Sequence, residues 1–141
     1  MTIQQQKDFI GKYIDIIWNQ GDTTRLNEFL HPDFTDHSIP AALPPNAEGL
    51  QQWIIQTHQS FVPETVIEDQ VAEDNRSMIK ITMHMKHIGT WRGMAPTGLT
   101  VTTKGYRSFR LQDNRIIEHW ALIDGASLEQ AIMGKEHVCA R

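Results

Sequence analysis

The chain has 141 residues, with 13 Lys plus Arg against 17 Asp plus Glu and a lone cysteine, Cys139. That length fits one domain over residues 1–141 with a core that needs no staple, and a mildly acidic chain without a basic block argues against nucleic acid or an anionic membrane as partner. A single cysteine leaves neither a disulfide framework nor a cysteine-based metal site, and MTIQQQKDFIGKY has no basic head followed by an apolar core, so a soluble, cytoplasmic protein is expected.

In chain order, Phe9, Ile10, Tyr13, Ile14, Ile16 and Ile17 fall on one face of a helix stopped by Gly21. Asp22 then caps a second helix carrying Leu26, Phe29 and Leu30, which must end before Pro32. Residues Asp33 to Ser38 read as a short strand or turn that enters a loop with three prolines, Ile39 to Asn46. Helical spacing returns from Ala47 to Phe61, and Pro63 reads as a breaker. From Thr65 the period becomes two. Strands are expected over Val66–Ala72, Ser77–Ile88, Thr100–Leu111 and Arg115–Ile123, with turns at Asp74-Asn75 and Asp113-Asn114. Ser127 with Gln130 has capping-box spacing for a last short helix closed by Gly134. Helices followed by a meander of long antiparallel strands predict an α+β fold, helices packed on one face of a curved sheet.

Chemistry-bearing residues concentrate between Gly105 and Asp124, where Arg107, Arg110, Glu118, His119 and Asp124 interleave with Phe109, Ile116, Ile117, Leu122 and Ile123. Such a hairpin forms one wall of a small-molecule pocket. A three-residue loop with a bulge places Arg107 and Phe109 on the face of His119 and Ala121, and this facing is favoured. A two-residue turn instead pairs Arg107 with Trp120. His84 and His87, three apart on a strand, point to opposite faces, which argues against zinc. No glycine-rich phosphate loop of dinucleotide type, no G-x-S-x-G elbow and no Cys/His pair with a credible nucleophile is present, so nucleotide cofactors and covalent acyl chemistry are disfavoured.

Four blocks in order carry a family resemblance: Phe61 with Pro63; Glu68-Asp69 with Val71-Ala72-Glu73-Asp74-Asn75-Arg76; His87 with Gly89, Trp91, Gly93 and Pro96-Thr97-Gly98; and Glu118-His119-Trp120. Together they resemble the SnoaL-like polyketide cyclases of the nuclear transport factor two superfamily. That resemblance implies a cone-shaped α+β barrel, usually a homo-oligomer (dimer or tetramer), around an apolar pocket. The implied activity is an intramolecular aldol closure of a bulky, apolar carbonyl compound by acid/base chemistry with no cofactor and no metal.

One departure bears on the mechanism. Many relatives have aspartate directly after the E-H-W tryptophan, and here that position is Ala121. His119 and Asp124 are the candidate replacements for the base, with Arg107 as the cation for a carbonyl or ester oxygen. Asp36-His37 sits where the family's pocket mouth is reached, and His87 aligns with a family position that lines the pocket. His37, His87, Trp53, Trp91, Phe109 and Trp120 are therefore the candidate ligand-binding residues. The alternative is a non-catalytic protein of the same fold that binds a small apolar ligand.

Overall fold

The computed structural model describes residues 1–139, with side chains as far as residue 134, so the Cys139 thiol, used above for the cytoplasmic expectation, lies outside the described residues. Helix α1 (Ile3–Tyr13) starts at a reciprocal cap: the Thr2 hydroxyl accepts from the Gln5 N–H at 3.0 Å and the Gln5 side-chain Oε1 accepts from the Thr2 N–H at 2.9 Å. The expected single helix then widens into a π-helical stretch, Ile14–Asn19, whose Asp15 carbonyl is reached by the Gln20 N–H. Two anchors hold this stretch. Asn19 exchanges hydrogen bonds with both backbone groups of Thr65, at 3.0 and 2.7 Å, and His58 Nε2 donates to the Trp18 carbonyl at 2.8 Å.

Gly21 (φ 71°) ends the stretch as expected, and a Cβ there would press on the His58 ring at 2.9 Å. A 3₁₀ turn at Thr23–Arg25 leads into α2 (Leu26–Phe29), which stops before Pro32. Asp22 flanks the turn but accepts from the Thr24 hydroxyl, not from a backbone cap.

The sheet order is β1-β5-β4-β3-β2. Strands β2 (Phe61–Glu73), β3 (Arg76–His87), β4 (Thr100–Gln112) and β5 (Arg115–Ile123) pair antiparallel. Strand β1 (Leu30–Asp36) joins β5 in parallel, so the sheet is mixed where an all-antiparallel one was expected. A parallel neighbour needs a crossover, and α3 (Ala47–Ser60) is part of it. Pro32 is tolerated inside β1, and Pro63 inside β2, because both are edge strands. Pro63 is thus no breaker, and β2 begins at Phe61 directly after α3.

The proline loop packs tightly on α3: Asn46 caps it by accepting from the Gly49 N–H, and a Cβ on Gly49 would meet the Pro44 carbonyl at 1.7 Å. Helix α4 (Gly125–Cys139) starts one residue after Asp124 and runs through Gly134, so neither the Ser127 cap nor the Gly134 stop holds.

The inner sheet face supplies Ile79, Ile81, Met83, Met85, Phe109, Leu111 and Ile116 to a core shared with Ile10, Tyr13, Ile14, Ile17, Leu50 and Ile54. The expected α+β layering stands. No helix among the described residues is long and apolar enough to cross a membrane.

Candidate functional site

The register of β4 on β5 decides which ionisable groups face inward. Asp113 and Asn114, at φ 53° and 61°, make a two-residue turn of the primed kind that suits strand twist, with Gln112 opposite Arg115. Leu111 then pairs with Ile116 but Arg110 pairs with Glu118, so Ile117 is an extra residue in β5 and both isoleucines are buried. This bulge shifts the pairing by one. Phe109 lies opposite His119 and Arg107 opposite Ala121, the favoured facing reached through a bulge inside β5 and not through a longer loop.

Beside β5, parallel β1 sets Asp36 against His119. Along β1 Leu30, Phe34 and Asp36 are buried, so the alternation that turns Phe34 inward turns Asp36 inward too. His119 Nδ1 lies 3.0 Å from Asp36 Oδ2, and His119 Nε2 lies 3.3 Å from an Arg107 terminal nitrogen. The Arg107 guanidinium carbon stands 4.4 Å from the centre of the Trp18 ring, and Phe109 backs the imidazole at 5.1 Å. Asp36, His119 and Arg107 are 4%, 3% and 6% exposed, so the row is almost dry.

The electrostatics assign protons within the row. Burial pushes the His119 imidazole down, the Asp36 hydrogen bond pushes it up, and the Arg107 charge pushes it down again, with a net downward shift. His119 is therefore neutral at pH 7, its Nδ1–H donating to Asp36 and its Nε2 lone pair accepting from Arg107. Burial alone would raise the Asp36 carboxyl. The His119 hydrogen bond and charge, the Ser38 N–H at 2.9 Å and the Arg107 charge outweigh it and hold the group low, so Asp36 is a carboxylate. Burial pulls Arg107 down against the opposing influence of Tyr13 and Asp36, and pushes the Tyr13 phenol well up. At neutral pH the row thus reads carboxylate, neutral imidazole, guanidinium. This combination offers one base lone pair and one cation within reach of a single ligand atom.

A cavity of about 600 Å³ opens onto the row. Trp18, Trp53, Trp91, Phe61, Met83 and Met85 form its flat apolar walls, and Ala121 presents a methyl group beside Arg107. Of the residues singled out in the sequence, His119, Arg107, Trp53 and Trp91 meet at this cavity. Phe109 is fully buried beneath the imidazole.

Asp124, expected as an alternative base, lies elsewhere: its oxygens accept from the Ser127 N–H at 3.0 Å and hydroxyl at 2.6 Å, which makes it the cap of α4. His37 stacks on Trp120 at 4.7 Å and bonds Glu118, whose other oxygen holds Arg110, so this group belongs to the outer face of the hairpin. His87 is fully buried and bonded to Thr97 through Nδ1, under Phe61 and away from the cavity lining, whereas His84 bonds Thr102. The two histidines do take opposite faces. Of the Asp36-His37 pair, then, the aspartate enters the site. Trp18 was not among the residues singled out in the sequence, and nothing in the spacing marks it.

A model of the family described as SnoaL-like polyketide cyclase matches residues 8–132. Solved structures share the fold. TsrD from Streptomyces laurentii is 18% identical, with 94% of this chain and 97% of that chain covered at a TM-score of 0.83. AclR from Streptomyces galilaeus, described as a candidate hydroxylase, is 20% identical over 94% and 83% at 0.81. IdmH from Streptomyces antibioticus, described as a candidate polyketide cyclase, is 25% identical over 91% and 97% at 0.79. Among curated proteins, none matches the sequence at a significant level.

Proposed function

This chain belongs to the SnoaL-like polyketide cyclase family, and on that premise we propose that it catalyses a proton-transfer reaction on a bulky carbonyl compound, in first place an intramolecular aldol closure. The observation that carries the reading is the inward row Asp36–His119–Arg107 at the wall of the cavity. When a carbonyl oxygen takes over the Arg107 N–H, the Nε2 lone pair of His119 is released. It then removes a proton from the carbon between two carbonyls, and the negative charge moves onto the oxygen held by Arg107. The enolate carbon attacks a second carbonyl of the same molecule, forming the C–C bond. The proton on Nε2 returns to the new alkoxide, so the enzyme ends as it began. Asp36 orients the ring and stabilises the transient imidazolium. The walls keep water from the enolate.

The test is solvent deuterium exchange at the acidic carbon of an aromatic 1,3-dicarbonyl ester, together with ring closure of the same compound. We expect His119→Gln to lower both by about 10²–10⁴-fold, the usual contribution of a general base. Asp124→Ala should leave both unchanged. Equal rates in wild type and His119→Gln would sink the reading.

Ala121 supports a second reading, a ligand carrier without turnover. Under it neither exchange nor closure exceeds the solution rate, whereas Ala121→Asp gains closure on the otherwise intact scaffold. We also infer a homo-oligomer with the outer sheet face as contact. That face exposes Val62, Val66, Met78, Tyr106 and Leu122. The β2 strand carries Glu64, Glu68, Asp69 and Glu73 without a base, and β3 carries Arg76, Lys80 and Lys86 without an acid, so a two-fold copy brings opposite charges together.

A further inference from the structure

Arg107 is buried, yet among the described residues it forms no ion pair with a carboxylate. The nearest candidate, Asp36, is committed elsewhere: one oxygen takes His119 Nδ1–H and the other takes the Ser38 N–H. His119 Nε2 satisfies a single Arg107 N–H, and the buried Arg107 Nε has no partner among the described residues. A buried cation normally has a counter-charge, because leaving one unpaired costs more than almost any other polar defect.

Two features hold the guanidinium in this state. Trp18 supports it through the face of its ring, which stabilises a cation without occupying its in-plane donors. Ala121, the cross-strand partner of Arg107, offers a methyl where a longer acidic side chain would reach the guanidinium, since directly opposed Cβ atoms stand about 5 Å apart. The other arginine on the cavity differs. Arg92 is paired with Glu129 at 3.1 Å and lies on Trp91 at 4.5 Å.

We propose that the missing counter-charge is supplied by the ligand: the cavity is a receptor for a flat aromatic molecule carrying an acidic group, carboxylate or acidic enol, that docks on Arg107. This deepens the proton-transfer reading and rests on the same cavity as ligand site. It assigns the Ala121 departure a purpose, for a carboxylate at that position would occupy the cation that the ligand needs. Trp18 is the positioning residue that presents Arg107.

The experiment uses two probes of nearly equal shape, 2-naphthoate and its neutral methyl ester, with binding followed by quenching of the tryptophan fluorescence. Wild-type protein is expected to bind the carboxylate roughly 10- to 100-fold more tightly, the range of a charge-assisted hydrogen bond. Arg107→Gln should erase the preference, and so should Ala121→Asp, which keeps Arg107 but pairs it internally. Ala121→Asn, adding the same bulk without charge, should retain it. Equal affinity for the two probes in wild type overturns the proposal, as does a preference that survives in Arg107→Gln or Ala121→Asp. Absence of binding by either probe at millimolar concentration overturns it as well. Wild-type protein alone gives the first and last of these outcomes, so a poorly folding variant does not blunt the test. Neither probe has a proton between two carbonyls. Loss of the preference with deuterium exchange intact therefore sinks only this proposal, and the reverse result sinks only the proton-transfer reading.

Discussion

His119 works between two neighbours of opposite effect, and this makes its titration readable. Burial and the Arg107 charge keep the imidazole neutral below its usual range, while Asp36 pulls the other way. A base must be unprotonated, so the rate should hold through neutral pH and fall on the acid side, below the ordinary imidazole value of about 6.5. Asp36, Arg107 and Phe109 lie against the ring, and His37 adds a weaker downward influence. Arg107→Gln removes a positive charge and should move the acid limb upward; Asp36→Asn removes a negative one and should move it downward. Rate profiles of the two variants that shift the same way would contradict the assigned proton positions. Stability follows the same sign. The folded forms of both His119 and Asp36 resist protonation more than the unfolded chain does, so acid favours unfolding, first through the imidazole and then, below about pH 4, through the carboxyl.

The π-helical stretch Ile14–Asn19 is the element that delivers Trp18, and its hold on the sheet is the Asn19 amide on Thr65. Asn19→Ala breaks both bonds and leaves the Thr65 N–H and carbonyl without that partner. A loss of about 2 kcal/mol is expected in urea unfolding, with a weaker grip on aryl carboxylates because Trp18 is no longer fixed beneath Arg107. Unchanged stability would mean that the widened turn is held by packing alone. Elements with a strong local rule were legible from residues alone. Alternation marked Ser77–Ile88 and Arg115–Ile123, and Gly21 and Pro32 marked helix ends. What escaped has no local signature: apolar residues at helical spacing fit an α-turn and a π-turn equally, and the parallel pairing of β1 depends on a strand eighty residues later. Asp36 was named with His37 at the pocket mouth, but its role beside His119 was not legible for that reason, since the two meet only because β5 runs beside β1. Asp124 misled because the residue that ends a strand also caps the helix that follows.

At the scale of the whole molecule the sheet separates two jobs. Its inner face encloses the row and the cavity; its outer face exposes Leu122 (77%) and Tyr106 (48%) among charges of both signs. Leu122→Glu should therefore split an oligomer into single chains in sedimentation, while an identical sedimentation profile would place the contact elsewhere. The fold pattern was visible in four sequence blocks, but the assignment of faces came from one residue, the extra Ile117 in β5. That bulge acts as a phase marker. Ahead of it Arg115 and Ile116 keep the pairing of a plain two-residue hairpin; after it every position is one out of step, so that Glu118 and Trp120 look outward while His119 and Ala121 look inward. A plain register with Ile117 opposite Arg110 would exchange the two pairs, placing an acid and an indole in the cavity and the base in solvent. A side-chain change there acts on one contact, whereas a slip of the pairing by one residue turns every later position to the other face. In the natural variation of this chain, the loops at 37–46 and 88–99 should grow and shrink, whereas the residues after Ile117 should keep their phase against β4.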